Sequence, residues 1–436
     1  MKVLILTGPS PNRMAGIVAE DLLCSLNSDK EFEAKLIVHE YGNYKKKDII
    51  SIYRKLEDIS IRVIRRIKVY FERRKLKKEE IKIDLDYFFL EYDQSIQYIS
   101  TDRLLKKIKS KPDAIIVLFM THFLNYQNLF ELNQKTNAPI FLYLMDMVGF
   151  TGGCHYAWDC KGYFKECGYC PALFSTDPKD QSFLNYKFKQ FYISKTDLEV
   201  VICSEELNNQ TRNASLLSDK KLHSGFFLPI NEEIYKPTNK ADIRKELNLP
   251  LEEKIIFFGA GSVMSKRKGF KELITALKIL YNNLSEKQRE FIHLLIAGHV
   301  QEEISNSISF KYTTLGFQNH TTLPKLFQAS DIFASPSIED SGPMMVNQSL
   351  MCGIPVVAFD VGVAKDLIKN GITGYKAKSF DCNDFARGIS KLIQLNELQA
   401  EEISKNCRET ALNKYSYKAT SERWRNFLKS KMLSKK

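Results

Sequence analysis

The 436-residue sequence has few of the features that mark fibrous, secreted or membrane-spanning proteins. It has only 13 prolines and 20 glycines, too few for a collagen-like or low-complexity chain. No stretch reaches the roughly 18 consecutive apolar residues of a transmembrane helix. Its nine cysteines are an odd number in a long chain, whereas secreted disulfide scaffolds are short and usually have an even number. The first apolar run, Val3–Leu6, is too short for a signal peptide, so we expect a globular protein of a reducing cytoplasm.

Short apolar runs alternate with longer stretches of helical periodicity, which is the pattern of parallel sheets covered by helices. The pattern runs through the first half of the chain and restarts in the second half. The predicted strands are 3–6, 34–38, 114–120, 140–144, 200–203, 255–258, 292–297, 332–334 and 355–359. We therefore predict an α/β protein with two doubly wound, Rossmann-like domains that face each other across a cleft.

The segment Phe226–Pro237 predicts the domain boundary, because its prolines cannot continue a helix or a central strand. The first predicted domain is 1–229 and the second is 230–415. Residues 416–436 form a predicted C-terminal helix, because apolar side chains recur there at helical spacing. This helix either packs on its own domain or crosses back to the first domain, with Trp424 as its anchor.

Most of the chain's basic surplus lies in one segment. The sequence has 64 Lys and Arg against 52 Asp and Glu, a net charge of +12. Residues 45–78 contain 14 basic and four acidic residues, and 14 − 4 gives +10 of that surplus. Apolar residues recur there every three or four positions, as on an amphipathic helix. Such a helix either lies on an anionic membrane surface or packs on the first domain. No nucleic-acid-binding module accompanies the charge, so we expect no nucleic-acid partner.

A strand, a glycine-containing loop and a helix follow one another between Ala334 and Met351. Unpaired amides at the start of a helix favour anions, and carboxylates in such a loop accept hydrogen bonds from sugar hydroxyls. Alone, the pattern is also compatible with a purely structural loop.

The residue order in 336–357 resembles the signature of the retaining glycosyltransferases of family 4, which have the GT-B fold. That order is Pro-Ser-x-x-acid, Gly, an amide or acid eight residues after that acid, and Cys-Gly-x-Pro-Val-Val. The resemblance implies that Asp340, with Glu339 beside it, contacts the donor sugar, and that Gln348 contacts the ribose of a sugar nucleotide. The family has glutamate at both positions. Here Asp340 keeps the carboxylate on a side chain one methylene shorter, and Gln348 has an amide instead of a carboxylate. Further implied donor contacts are Gly342, Pro343 and Met344.

A basic turn, Ser265–Phe270, follows the strand 255–258. Its Lys268 looks like the family's diphosphate-binding lysine, and we assign Arg267 as the partner arginine. Fixed cations stabilise the charge that develops on a departing diphosphate. A solvated basic turn is the alternative. The resemblance also implies that the donor nucleotide is contacted by Gly261, Phe317 and, in the first domain, Gly16.

Four cysteines fall within a short segment of the first domain: Cys154, Cys160, Cys167 and Cys170. Their spacing is compatible with a structural zinc site, in which His155 could replace one ligand, or with a metal-free loop. The pieces Thr-Gly-Gly-Cys-His-Tyr and Cys-Gly-x-Cys-Pro look like a subgroup of these transferases that acts in bacterial surface polysaccharide synthesis.

Position 145 departs from the family pattern. Many relatives have a histidine directly before Asp146, near the transferred sugar, but here the residue is Met145. His122, after another predicted strand, is a candidate for the acceptor or sugar side, and a structural histidine is the alternative.

These features predict a hexosyltransferase-type enzyme that needs no cofactor for catalysis. It would move a sugar from a UDP- or GDP-sugar to a glycan, and the expected acceptors are lipid-linked oligosaccharides of O-antigen, capsule or exopolysaccharide synthesis. We expect it in the cytoplasm, peripherally on the inner face of the plasma membrane. The alternatives are a nucleotide-sugar epimerase of the same fold and a non-catalytic sugar-nucleotide-binding subunit, since Glu at 348 and His at 145 are missing.

Overall fold

The computed structural model describes residues 1–11, 14–40, 42, 44, 46–53, 57, 59, 60, 63, 82–263, 265–299, 307–342 and 344–433. Most of the basic segment 45–78 lies outside the described residues, so the amphipathic helix proposed there stays a prediction. The chain divides into two compact units. The first unit comprises Met1–Cys203, Leu207–Phe226 and Thr420–Lys436, and the second comprises Ser204–Glu206 and Phe227–Ala419.

The first unit is built on a sheet of parallel strands in the order β3-β2-β1-β4-β5-β6-β7. The strands are β1 (Lys2–Thr7), β2 (Glu33–Val38), β3 (Ile49–Ser51), β4 (Ala114–Val117), β5 (Ile140–Leu144), β6 (Leu198–Ile202) and β7 (Leu222–His223). The central strands β4 and β5 are buried throughout, which explains why they are continuous apolar runs rather than alternating ones. The described helices include α1 (Met14–Asn27), α2 (Thr101–Leu105), α3 (Tyr126–Thr136), α4 (Gln181–Ile193) and α5 (Glu205–Arg212).

The second unit repeats the plan, with parallel strands in the order β10-β9-β8-β11-β12-β13. The strands are β8 (Lys254–Ser262), β9 (Ile292–His299), β10 (Lys311–Thr314), β11 (Ile332–Ser335), β12 (Val356–Phe359) and β13 (Gly374–Ala377). The described helices are α6 (Lys240–Glu246), α7 (Phe270–Asn283), α8 (Glu286–Glu290), α9 (Leu323–Ala329), α10 (Met344–Met351), α11 (Ala364–Leu367), α12 (Cys382–Ile393) and α13 (Glu397–Tyr415). No helix in the described ranges is both long enough and apolar enough to cross a membrane.

The predicted fold class, two Rossmann-like α/β domains with parallel sheets, is confirmed. The buried central strands lie where the apolar runs predict them. The prediction missed the edge strands β3, β7, β10 and β13, which have only two to four residues and few buried side chains. Strand β4 ends at Val117 rather than at Met120.

The last helix, α14 (Tyr417–Leu433), enters the first unit at Thr420. Trp424 is fully buried, and its ring contacts Phe141, Tyr143, Phe226 and Phe427, all of the first unit. Apart from Ser204–Glu206, the chain passes into the second unit between Phe226 and Phe227. Phe227 and Ile230 are buried in the core of that unit.

Each sheet has one point at which the strand order reverses: between β1 and β4 in the first unit, and between β8 and β11 in the second. Open α/β sheets bind ligands beyond the carboxyl ends of their strands at such points. The loops that follow β8 and β11 carry the predicted cations and carboxylates.

Candidate functional site

Two loops of the second unit meet beyond the carboxyl ends of β8 and β11. The first contains the 3-10 turn Lys266–Lys268, and the second is 336–342. Gly269, which ends the turn, has a φ of +67°, and a Cβ atom on it would lie 1.7 Å from the Pro336 carbonyl oxygen. Only glycine fits this position, so the close approach of the two loops depends on the Lys268-Gly269 step.

A carboxylate of the second loop is buried between two cations of the first. Arg267 Nη1 lies 3.0 Å from Asp340 Oδ2, and the Lys268 ammonium donates to the same oxygen. The Asp340 side chain is 6% exposed, and those of Arg267 and Lys268 are 15% and 21% exposed. Three predicted site residues therefore form one charge cluster, in which two cations face one carboxylate.

Burial and charge act against each other in this cluster. Burial alone would raise the pKa of Asp340, but Lys268 and Arg267, helped by the Gly342 N–H, hold it below its usual value. Burial lowers the pKa of Lys268, and Asp340 only partly offsets this effect, while Arg267 adds to it. A second anion at this point would stabilise both cations, and a diphosphate is such an anion.

The rest of the predicted donor loop surrounds this cluster. The Gly342 N–H donates to Asp340 Oδ1 at 3.3 Å, and Met344, the first residue of α10, is half-buried. Glu339 is half-buried too, and its N–H donates to the Arg267 carbonyl oxygen at 3.3 Å. Pro343 lies outside the described residues.

Gln348 points away from solvent and is only 7% exposed. Its Nε2 donates to the Tyr235 hydroxyl at 3.0 Å, and its Oε1 is buried without a hydrogen-bond partner among the described residues. The sequence prediction missed Tyr235, which lies 113 positions away and shares no motif with Gln348.

Two further predicted donor contacts lie on the same side of the sheet, at the ends of β8 and β10. Gly261 is exposed, and a Cβ atom on it would meet open space. Phe317, three residues after β10, is 51% exposed. An exposed aromatic ring can stack on a nucleotide base.

Gly16 lies in the first turn of α1, close to the loop that follows β1. A Cβ atom on it would lie 1.9 Å from the Ser10 carbonyl oxygen, so no other residue fits without moving this loop. Packing of the helix on the loop is therefore a sufficient structural reason for the glycine, and contact with a phosphate stays a prediction.

Asp146, just after β5, forms a buried pair with His155. His155 Nδ1 lies 2.8 Å from Asp146 Oδ2, and the Val148 N–H donates to Asp146 Oδ1 at 3.0 Å. Burial would raise the pKa of Asp146, but His155 and the Val148 N–H hold it below its usual value. His155 Nε2 is buried and has no hydrogen-bond partner among the described residues. The sequence prediction considered His155 as a substitute metal ligand and missed this pair, although the histidine stands only nine positions after Asp146.

His122 lies in the loop after β4, with a positive φ of 55°. Its backbone N–H donates to the Glu91 carboxylate, and its ring packs edge-on against Tyr98 at a centroid distance of 5.4 Å. The histidine that pairs with Asp146 is therefore His155, and the role of His122 on the acceptor side stays a prediction.

The four clustered cysteines line one cavity in the first unit and are all free thiols. Burial is the main cause that raises the pKa of Cys154, Cys167 and Cys170 above the ordinary thiol value. Among the described residues, no group of three or more His, Cys, Asp and Glu side chains has the close arrangement of metal ligands.

Residues 239–410, within the second unit, match the family model described as "Glycosyl transferases group 1". D-inositol 3-phosphate glycosyltransferase of Mycobacterium tuberculosis (strain ATCC 25618 / H37Rv) is 26% identical over 180 residues, which is 38% of this chain and 35% of that protein. The chain thus spans about a third of the length of the curated relatives it matches.

Solved structures resemble the chain over nearly its whole length. Sucrose-phosphate synthase from Thermosynechococcus elongatus superimposes with a TM-score of 0.64 and 14% identity, covering 99% of both chains. HepE from Anabaena, solved in complex with UDP and glucose, gives a TM-score of 0.59 and 14% identity over 99% of this chain and 100% of that one. At these identities the likeness defines the fold, which is the two-domain GT-B architecture.

Proposed function

We propose that this chain is a retaining glycosyltransferase that moves a sugar from a nucleoside diphosphate sugar to a hydroxyl group of a glycan. The observation that carries the proposal is the Asp340 carboxylate shared by Arg267 and Lys268, at the point where the strand order reverses. This cluster lies inside the region that matches the glycosyl transferases group 1 model. The HepE structure in complex with UDP and glucose adds support for a nucleotide-sugar donor.

The two cations account for the chemical step. During transfer, the bond between the anomeric carbon and the diphosphate oxygen breaks, and a bond to the acceptor oxygen forms on the same face. The acceptor proton passes to the departing phosphate. Negative charge therefore grows on the diphosphate, where Lys268 and Arg267 stabilise it. No separate general base is needed for this balance of atoms and charge.

Asp340 has two roles in this proposal. Without donor, it compensates the charges of Arg267 and Lys268, which would otherwise be buried together. With donor bound, the diphosphate takes over part of that compensation, and the carboxylate accepts hydrogen bonds from sugar hydroxyls. Gln348 binds the ribose through an amide held in place by the Tyr235 hydroxyl.

For the first unit, we propose an acceptor-binding role in which Asp146 and His155 position groups near the transferred sugar. The pair fits this role because a buried, hydrogen-bonded histidine keeps a fixed orientation. We further propose a lipid-linked acceptor in bacterial surface polysaccharide synthesis, on the cytoplasmic side of the membrane. The support for this part is the basic segment 45–78 in the sequence, since cations near an anionic surface favour membrane contact.

A donor panel tests the proposal. The full chain is incubated with UDP-, GDP- and dTDP-sugars together with a bacterial membrane extract, and the products are separated. A glycolipid whose new linkage has the anomeric configuration of the donor supports the retaining transferase. An interconverted sugar supports the epimerase instead, and nucleotide binding without turnover supports the binding subunit.

Two lysines of one turn provide matched variants for this assay. Lys268→Ala should lower transfer at least about 100-fold, because a lost contact to a developing anion costs about 2.7 kcal/mol or more. Lys266→Ala removes the same charge from a neighbouring side chain of the same turn and should keep most of the activity. Near-normal turnover in Lys268→Ala would remove the lysine from the mechanism.

A further inference from the structure

The connection between β5 and α4, residues 145–180, is long and has little regular secondary structure. Its described helical content is two 3-10 turns, Gly162–Phe164 and Pro171–Leu173. Long connections of this kind inside a compact unit are uncommon, and they need packing or cross-links of their own to stay ordered. In this chain residues 147–157 of the connection are mostly buried and residues 158–180 are mostly exposed or half-buried, and the four clustered cysteines are distributed over both parts.

All four cysteines line the same small cavity of about 20 Å³, which is the space of about one water molecule. Most of the remaining lining is apolar or backbone, with Phe89, Ala157 and Tyr163 on its walls. A space of this size admits a single ion.

Polar hydrogens point at the cysteine sulfurs. The Gly152 N–H donates to Cys167 Sγ at 3.1 Å, and the Gly162 N–H donates to Cys160 Sγ at 3.5 Å. Amide donors to sulfur stabilise thiolates and are a usual outer shell of thiolate metal sites.

The glycines of the connection bring its backbone close to these sulfurs. A Cβ atom on Gly152 would lie 2.9 Å from Cys167 Cβ, and one on Gly162 would lie 3.5 Å from Cys160 Sγ. A Cβ atom on Gly168 would lie 2.2 Å from the Pro178 carbonyl oxygen, so the turn between Cys167 and Cys170 requires glycine. Close backbone packing at Gly152 and Gly168 therefore fixes the path of the segment that contains Cys167.

A buried positive charge faces the same cluster. Lys189 is 3% exposed, and its ammonium donates to the carbonyl oxygens of Val148 (2.6 Å) and Thr151 (2.8 Å). Burial lowers the pKa of Lys189 to about 8, and Cys167 and Cys154 lie near enough to oppose this shift when they carry negative charge. A zinc ion with four thiolates has a net charge of two minus, which would compensate this ammonium.

We propose that Cys154, Cys160, Cys167 and Cys170 bind one Zn²⁺ ion as a structural site that orders the connection after β5. Within the described residues the four side chains line one cavity but do not have the close arrangement of bound metal ligands. Zinc–sulfur bonds of about 2.3 Å require the sulfurs to turn into this cavity. His155 stays outside the ligand set, because it does not line this cavity.

Metal analysis of the full chain, purified without a His-tag, tests the proposal independently of any transferase activity. We expect about one zinc per chain, and cobalt-substituted protein should show the strong visible absorption of tetrahedral Co²⁺ with thiolate ligands. Less than about 0.3 zinc per chain, iron in place of zinc, or disulfides among these cysteines in protein prepared under reducing conditions would each overturn it.

Cysteine variants localise the metal. Cys167→Ser and Cys160→Ser should each lose most of the zinc, whereas Cys382→Ser, a partly exposed thiol of the second unit, should retain it. Zinc retained in both cluster variants would contradict the assignment. If a cluster variant does not fold, zinc content and the cobalt spectrum of the unaltered chain still decide the question.

Discussion

Replacing Asp340 by asparagine should lower the stability of the protein and the rate of sugar transfer, yet tighten the binding of a nucleoside diphosphate. The carboxylate lies 3.0 Å from Arg267 Nη1 and also accepts from Lys268. Asparagine keeps the shape and removes the charge, so two buried cations remain without their anion. A diphosphate then binds to a site with no competing negative charge.

The magnitudes follow from the burial of the cluster. Removing one partner of a buried ion pair costs about 3–5 kcal/mol, and we expect the low end because the Lys268 side chain is still 21% exposed. Two unit charges 4 Å apart interact by about 1 kcal/mol in water and about 4 kcal/mol at an effective dielectric constant of 20. Relief of the repulsion between Asp340 and the diphosphate should therefore tighten UDP binding about tenfold, or about 1.4 kcal/mol.

Transfer should fall about 10- to 100-fold in the same variant, because hydrogen bonds from sugar hydroxyls to a charged acceptor are worth about 1.5–3 kcal/mol. The assays are calorimetric titration with UDP, thermal unfolding with and without UDP, and initial rates of transfer. UDP should raise the unfolding temperature of Asp340→Asn more than that of the unaltered chain, since the nucleotide supplies the missing anion.

Asp331 provides a matched control. It bridges Lys240 Nζ and Arg244 Nη2, each at 2.7 Å, and it precedes β11, whereas Asp340 follows that strand. Asp331→Asn should destabilise the second unit to a similar extent and leave UDP affinity within about twofold. The reasoning is refuted if Asp340→Asn binds UDP more weakly than the unaltered chain, or if both variants change UDP affinity equally.

Three further outcomes follow from single positions. The pKa of Lys268 lies below its ordinary value of 10.5, so UDP binding should decline at a lower pH than it would with an exposed lysine. In binding titrations, Lys268→Arg should move that decline to higher pH, because arginine keeps its charge. Gly269→Ala should destabilise the chain and abolish most transfer, because the new Cβ would lie 1.7 Å from the Pro336 carbonyl oxygen. As its control, Gly371→Ala has a φ of +76° and open space around the new Cβ, so denaturant unfolding should show only the backbone strain of about 1–2 kcal/mol. Trp424→Ala should destabilise the first unit by about 3–5 kcal/mol in calorimetry, and a loss below about 1 kcal/mol would contradict its role as the buried anchor of α14.

Local features of the sequence determined the fold class and part of the candidate site. Continuous apolar runs predict strands buried on both faces, and β4 and β5 are such strands. The Lys268-Gly269 step and the loop around Asp340 each follow a strand of the second unit, so both could be placed at the carboxyl edge of its sheet. Periodicity and turn chemistry need only neighbouring residues, and the sequence shows those directly.

Contacts between distant positions were decided by the tertiary structure alone. Asp340 meets Lys268 and Arg267 across more than 70 positions because β8 and β11 are adjacent in the sheet. Tyr235 reaches Gln348 across 113 positions, and no local pattern links them. The order and register of the strands bring such residues together, and these depend on packing of the whole sheet rather than on any one segment.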